Sequence, residues 1–280
     1  MEPNPIDPSN VEAPKPASIS TSDAGPNSAP QVGWSIDKGV ARENNEDSLA
    51  AITVSQASEA DAQSVGVYAV ADGIGGKDSG EVASKLAVRT AIRKLMENMT
   101  EPNDDMPDNY RQWLEMAVTL ANQVVHEKAD TEKKKMGTTL VLAVVVGNDV
   151  HVANVGNSRA YVISPTDIRQ ITHDQSMTQT MVDNGLIKPE DAATHPYRKI
   201  LTQSVGSHDT ITVDSFTETL QEDEALLLCS DGLWNMLGDA EIMRIVRTVD
   251  SPTAACQALV DACNQKNARD DIAAVLVRQG

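Results

Sequence analysis

The stretch "TTLVLAVVVGNDVHVANVGNSRAYVIS", residues 138–164, decides the fold class. Three apolar runs rich in Val, Leu and Ile are separated by Gly147-Asn148 and Gly156-Asn157, pairs that favour tight hairpin turns. Such short connections cannot join parallel strands, which need a crossover of about a dozen residues or more. The runs therefore read as three strands of an antiparallel meander, and a purely parallel α/β sheet is excluded.

Outward from this meander, strands are expected at 33–37, 48–54 and 64–71 on one side and in "TITVDSF" (210–216), "EALLLCS" (224–230) and "DIAAVLVRQ" (271–279) on the other. A helix over 79–99 carries Val82, Leu86, Ala87, Ala91 and Leu95 at helical spacing. A second, over 110–133, is expected to bury Trp113, Ala117, Leu120, Ala121 and Val124. A polar, helical segment over 176–204 interrupts the strands, and Ser251-Pro252 opens a last helix to about 266 as N-cap and N1. Antiparallel strands with inserted helices predict an α+β sandwich: two antiparallel β-sheets face to face, flanked by α-helices. Residues 1–32, dense in Pro, Ser and Ala, are expected to be a disordered tail before a single domain over 33–280.

The chain has 280 residues, 41 acidic against 23 basic, for a net charge of -18. That charge repels nucleic acid and anionic membranes and favours a basic partner or a metal cation. Three cysteines, all in apolar or helical settings, read as buried thiols in a reducing compartment. The opening "MEPNPIDPSN" has no signal-peptide pattern and no run is long enough to span a membrane, so a cytoplasmic protein is expected.

Acidic residues recur where apolar runs stop or start. "VYAVADGIGG" (67–76) closes on Asp72 and "LLLCSDG" (226–232) on Asp231; "ARDDIAAVLV" (268–277) opens after Asp270 and Asp271; "ARENNED" (41–47) sets Glu46 and Asp47 before a further run. One Asp before Gly is an ordinary turn pair. Several at strand ends are another matter, because carboxylates about 4 Å apart repel by roughly 4 kcal/mol at an effective dielectric of about 20. No Lys or Arg adjoins the Asp-Gly pairs in sequence, so a bound cation is expected. An all-oxygen donor set selects Mg²⁺ or Mn²⁺, and two such ions can acidify a water and clamp a phosphoryl group. Glycine after Asp72 lets a backbone carbonyl come close to an ion. Arg42, four residues before Glu46, is either a surface arginine or a fork for phosphate oxygens.

The ordered series "ARENNED", "VYAVADGIGGKDSGEVAS", "GTTLVLAVVV", "VANVGNSRAYVI", "ITHDQS", "ILTQSVG", "LLLCSDGLW" and "RDDIAAVLV" resembles the metal-dependent protein phosphatase family, type 2C, from about residue 33 to 278. The resemblance implies a two-sheet sandwich with a dinuclear Mn²⁺ or Mg²⁺ site and phosphoserine and phosphothreonine proteins as substrates. It implies that Asp72 bridges both metals, Asp231 and Asp270 hold the first, and the Gly73 carbonyl helps hold the second. Glu46 and Asp47 would act on that second ion, partly through water, and Arg42 would bind phosphate. Gly137, Thr138 and Thr139 match a family motif taken as packing near the site, and about 174–204 corresponds to the family's flap.

Three positions depart from that pattern. Ile74 stands where many eukaryotic members carry a histidine, so leaving-group protonation falls to water or to another histidine such as His173, His195 or His208. Asn157 replaces an Asp used for a third metal, so third-ion affinity is expected to fall. Asp271 adds a negative charge beside Asp270. The expected function is an active phosphatase, monomeric, opposing a bacterial Ser/Thr kinase. The alternative is a pseudophosphatase that binds phosphoproteins without hydrolysing them. A covalent aspartyl mechanism needs an Asp-x-Asp pair, and Val70 stands two residues before Asp72.

Overall fold

The structure, a computed structural model, describes residues 30–57, 62–75, 79–100 and 109–279. β1 (Gln31–Asp37), β2 (Asp47–Ala57) and β3 (Ala62–Gly75) lead into helices α1 (Ser79–Thr100) and α2 (Tyr110–Glu132). β4 (Met136–Thr138), β5 (Leu140–Val146), β6 (Asp149–Val155), β7 (Arg159–Ile163) and β8 (Ile168–Gln170) follow, then the short α3 (Met177–Asp183) and α4 (Pro189–Ala192). β9 (Asp214–Thr219), β10 (Ala225–Cys229), α5 (Asp231–Trp234), α6 (Asp239–Thr248), α7 (Pro252–Gln265) and β11 (Ile272–Arg278) complete the order. One sheet runs β1-β11-β10-β7-β8 and the other β2-β3-β5-β6-β9, with β4 added against the end of β3. All these pairings are antiparallel.

β3 shows why its sequence is apolar without a break. Tyr68 and Val70 point between the sheets, where they join Val141, Leu226, Leu228 and Val275, while Val67, Ala69 and Ala71 point the other way towards α1 and α2. A strand covered on both faces loses the polar alternation of a half-exposed one. The sheet containing β10 and β11 does the same with Leu227, Cys229, Ala274 and Leu276, which pack under α5, α6 and α7. The result is the expected four-layer sandwich, helices outside and sheets inside.

Several local expectations are corrected. The meander is two strands: β5 and β6 form a hairpin through Gly147, but β7 pairs with β10 and β8 in the opposite sheet. Gly156, at φ +101, carries the chain across rather than back. Runs apolar on both faces carry no label saying which sheet they join. The first strand begins at Gln31 and the "TITVDSF" strand lies later, at Asp214–Thr219. Val82 is exposed, and Leu120 and Val124 are half-buried, because α1 and α2 press on the sheet and each other through Ala83, Ala87, Ala91, Leu114, Ala117, Val118, Ala121 and Val125. Helix α6, with buried Ile242, Ile245 and Val246, is an addition to the expected elements. The expected tail lies, apart from residues 30–32, outside the described residues.

Candidate metal centre and phosphate site

β3 does not stop on its carboxylate. It pairs with β2 as far as Asp72, then runs on as Gly73–Gly75 against β4, so Asp72 sits where the strand changes partners. The exchange is braced by Thr138 at the end of β4 and by Thr139, which links β4 to β5. Thr139 Oγ1 accepts the Asp72 N–H at 2.8 Å and shares a 2.6 Å hydrogen bond with Ser158, while Thr138 Oγ1 donates to the Asp72 carbonyl at 2.8 Å. The Gly-Thr-Thr motif is thus more than packing, since it fixes the backbone of the central carboxylate.

Both Asp-Gly pairs put glycine where another acidic segment crosses. A Cβ on Gly73 would lie 2.2 Å from the Gly80 carbonyl and 2.6 Å from that of Glu46, and one on Gly232 would lie 1.9 Å from the Asp271 carbonyl. All three distances are far inside van der Waals contact. The glycines let the acidic ends approach one another.

Asp47 begins β2 directly opposite Asp72. It is buried; Ser230 donates to its Oδ2 at 2.6 Å, and its Oδ1 is buried with no hydrogen-bond partner. Asp231 begins α5 and takes the Asn157 amide at 3.2 Å. Asn157 therefore acts as a donor that orients Asp231, where an Asp would repel it. Asp271 accepts the Glu46 N–H at 2.9 Å, and its Oδ1 too is buried without a partner. Ser230 and Asp271 are site residues that sequence reasoning missed or left unassigned. A serine between an apolar run and Asp-Gly offered no signal, and its partner lies 183 positions away.

Electrostatics follow from this crowding. Burial, then the neighbouring carboxylates, pushes Asp47 and Asp72 well above the usual carboxylate range. Asp231 rises for the same reasons, with Asp270 its main neighbour, and Asp271 is pushed up to about 6, chiefly by burial. Asp270 goes the other way. Burial would raise it, but Lys199 and Arg42 outweigh that and hold it low. Lys199 Nζ lies 2.8 Å from Asp270 Oδ2, and Arg42 pairs with Asp270 Oδ1 and, at 3.2 Å, with Glu46. This corrects the expectation that no protein cation relieves the cluster: Lys199 is remote in sequence but adjacent in space.

No group of three or more acidic, histidine or cysteine side chains among the described residues closes into a metal cage. The donor set nonetheless fits hard divalent ions: every side-chain donor is a carboxylate oxygen, and two of those oxygens are buried without partners. Of the other histidines, His173 pairs with Asp183 and His195 accepts the Tyr197 N–H. Ile74 is exposed beside the site.

The family model described as Protein phosphatase 2C matches residues 40–276, nearly the whole described chain. The chain belongs to the protein phosphatase 2C family. Its relatives include bacterial serine/threonine phosphatases. It is 33% identical over 215 residues to the serine/threonine phosphatase stp of Listeria innocua, covering 76% of this chain and 84% of that protein. It is 35% identical over 210 residues to protein phosphatase PhpP of Streptococcus pneumoniae, covering 74% and 83%. In three dimensions it matches the catalytic domain of serine threonine protein phosphatase PstP in complex with 2 manganese ions, with a TM-score of 0.73, 27% identity, and coverage of 89% of this chain and 97% of that one. The chain is thus a phosphatase of the protein serine/threonine class. No helix among its described residues is long and apolar enough to cross a membrane.

Proposed function

We propose that this phosphatase removes phosphate from phosphoserine and phosphothreonine in proteins by direct attack of water, with a pair of Mn²⁺ or Mg²⁺ ions held by Asp72, Asp231, Asp270, the Gly73 carbonyl and, partly through water, Glu46 and Asp47. The observation that carries this reading is the buried, partnerless Oδ1 of Asp47, directly opposite Asp72 in the strand register. A buried acceptor in that state costs stability unless a cation satisfies it. Such ions, when bound, supply positive charge that acidifies water and neutralises the phosphoryl group.

The chain's own groups supply position. Arg42, on the solvent side, presents a planar fork that binds two phosphate oxygens once Asp270 is engaged elsewhere. Thr138 and Thr139 keep Asp72 from shifting, Ser230 orients Asp47, and the Glu46 backbone is held by Asp271. The water's oxygen bonds to phosphorus as the seryl or threonyl oxygen leaves and takes up a proton from water, since Ile74 offers none. Asn157, committed to Asp231, leaves a third ion weakly held. The segment over 174–204 acts as a flap facing substrate. The partners are phosphorylated proteins and the kinase that modifies them, in a reducing, cytoplasmic setting that suits three free buried thiols.

Hydrolysis of p-nitrophenyl phosphate and of a phosphothreonine peptide should require Mn²⁺ or Mg²⁺ and stop with EDTA. Asp231→Asn should abolish turnover while the protein stays folded. Turnover without metal would end this reading, and phosphopeptide binding without any turnover would replace it with a phosphoprotein-binding module.

A further inference from the structure

Two protein cations share one carboxylate at the mouth of the acidic cluster. Arg42 takes Asp270 Oδ1 and Lys199 takes Oδ2 at 2.8 Å. Arg42 has its place in the reading above; Lys199 does not. We propose that Lys199 is a second phosphate-contacting cation, which rests on Asp270 in the metal-free protein and turns to the substrate's phosphate when metal takes that carboxylate. This assignment rests on the metallophosphatase reading.

The backbone beside Lys199 is fixed while its side chain is largely exposed. Met177 N–H donates to the Ile200 carbonyl at 2.8 Å, Thr202 N–H donates to Gln175 at 2.9 Å, and Ser176 bridges to Leu201. A little further on, Val205 pairs with Thr138, the residue that braces Asp72. The segment carrying Lys199 is thereby tied to the scaffold that holds the central carboxylate. Its side chain is 63% exposed, and Asp270 is its one ion-pair partner among the described residues. Four methylenes let the ammonium sweep several ångströms from a fixed Cα.

Asp270 cannot serve three cations equally. A divalent ion on its oxygens repels an ammonium at hydrogen-bond distance, so the more exposed and more flexible of the two resident cations leaves. Its nearest new partner is what Arg42 binds. A phosphomonoester dianion has three outer oxygens; one guanidinium satisfies two of them, and an ammonium suits the remaining charge. The ligand class is therefore a phosphate dianion, recognised by one fork and one point charge. No other Lys or Arg forms an ion pair with Asp47, Asp72, Asp231, Asp270 or Asp271 among the described residues.

The test uses the full chain and two substitutions, Lys199→Gln and Lys199→Arg. Inorganic phosphate is titrated as a competitive inhibitor of p-nitrophenyl phosphate hydrolysis, and Mn²⁺ binding is measured calorimetrically without substrate. Lys199→Gln should raise the phosphate inhibition constant about tenfold, the worth of one charge-assisted hydrogen bond, with KM rising more than kcat falls. It should also bind Mn²⁺ more tightly, having lost the competitor for Asp270. Lys199→Arg should restore most of the phosphate affinity. An unchanged inhibition constant in a folded Lys199→Gln protein overturns the assignment, even if Mn²⁺ binds more tightly, because Lys199 would then be only a resting counter-ion. A wild-type protein that neither binds Mn²⁺ nor hydrolyses the substrate would instead sink the metallophosphatase reading, a result visible before any variant is made.

Discussion

Asp47 and Asp72 are direct cross-strand partners at the end of the β2–β3 pairing. Like charges directly opposite in a sheet destabilise it, and here both groups are raised well above the usual carboxylate range. The fold carries this strain in order to keep acidic oxygens together. Asp72→Asn should therefore make the protein more stable in EDTA, by roughly 2–4 °C if about 1 kcal/mol of repulsion is relieved, while removing Mn²⁺-dependent turnover. Differential scanning fluorimetry with and without Mn²⁺ measures both effects, and a loss of stability in EDTA would contradict the repulsion argument.

Ser230 is the buried bridge between Asp47 and β11, donating to Asp47 Oδ2 and accepting the Ala273 N–H at 2.9 Å. Ser230→Ala removes both bonds and leaves a buried carboxylate oxygen and a buried N–H without them, at a cost of about 1–3 kcal/mol. Chemical denaturation should register that loss, and calorimetry should show weaker Mn²⁺ binding as Asp47 loses its orientation. Unchanged metal affinity would mean that Asp47 does not need this hydroxyl.

Stability of the metal-free protein should fall as pH rises from about 4 to above 6, the reverse of ordinary acid denaturation. The native pKa values of Asp47, Asp72, Asp231 and Asp271, the last about 6, lie above the unfolded value. The folded state therefore holds protons more tightly than the unfolded chain, and it pays for ionising these groups as pH climbs through their native values. Asp270, held low by Lys199 and Arg42, works oppositely but below this window. Melting in EDTA at pH 5 should occur at a higher temperature than at pH 7.5, and Mn²⁺ should narrow the gap. A melting temperature that rises between those pH values would refute the coupling.

Cys229, Cys256 and Cys263 are buried and unpaired. Burial pushes Cys256 and Cys263 up to about 12 and raises Cys229 as well, and a thiol kept protonated and covered is a poor nucleophile. A neutral-pH disulfide reagent should label none of them in the native protein and all of them after denaturation. Rapid native labelling would show that the sheet under α7 opens readily.

The amino-acid sequence by itself determined the antiparallel α+β class, the helices over about 79–99 and 110–133, the capped start of α7 and the acidic residues flanking apolar runs. Those features are written in periodicity, turn pairs and caps, which act over a few residues. Tertiary structure alone decided that β7 leaves its hairpin neighbours for the other sheet, because strands apolar on both faces fit either layer. It alone brought Ser230 to Asp47, Asn157 to Asp231 and Lys199 to Asp270. Contacts between side chains separated by tens to hundreds of positions depend on how two sheets pack, and no local pattern of charge or hydropathy records that distance.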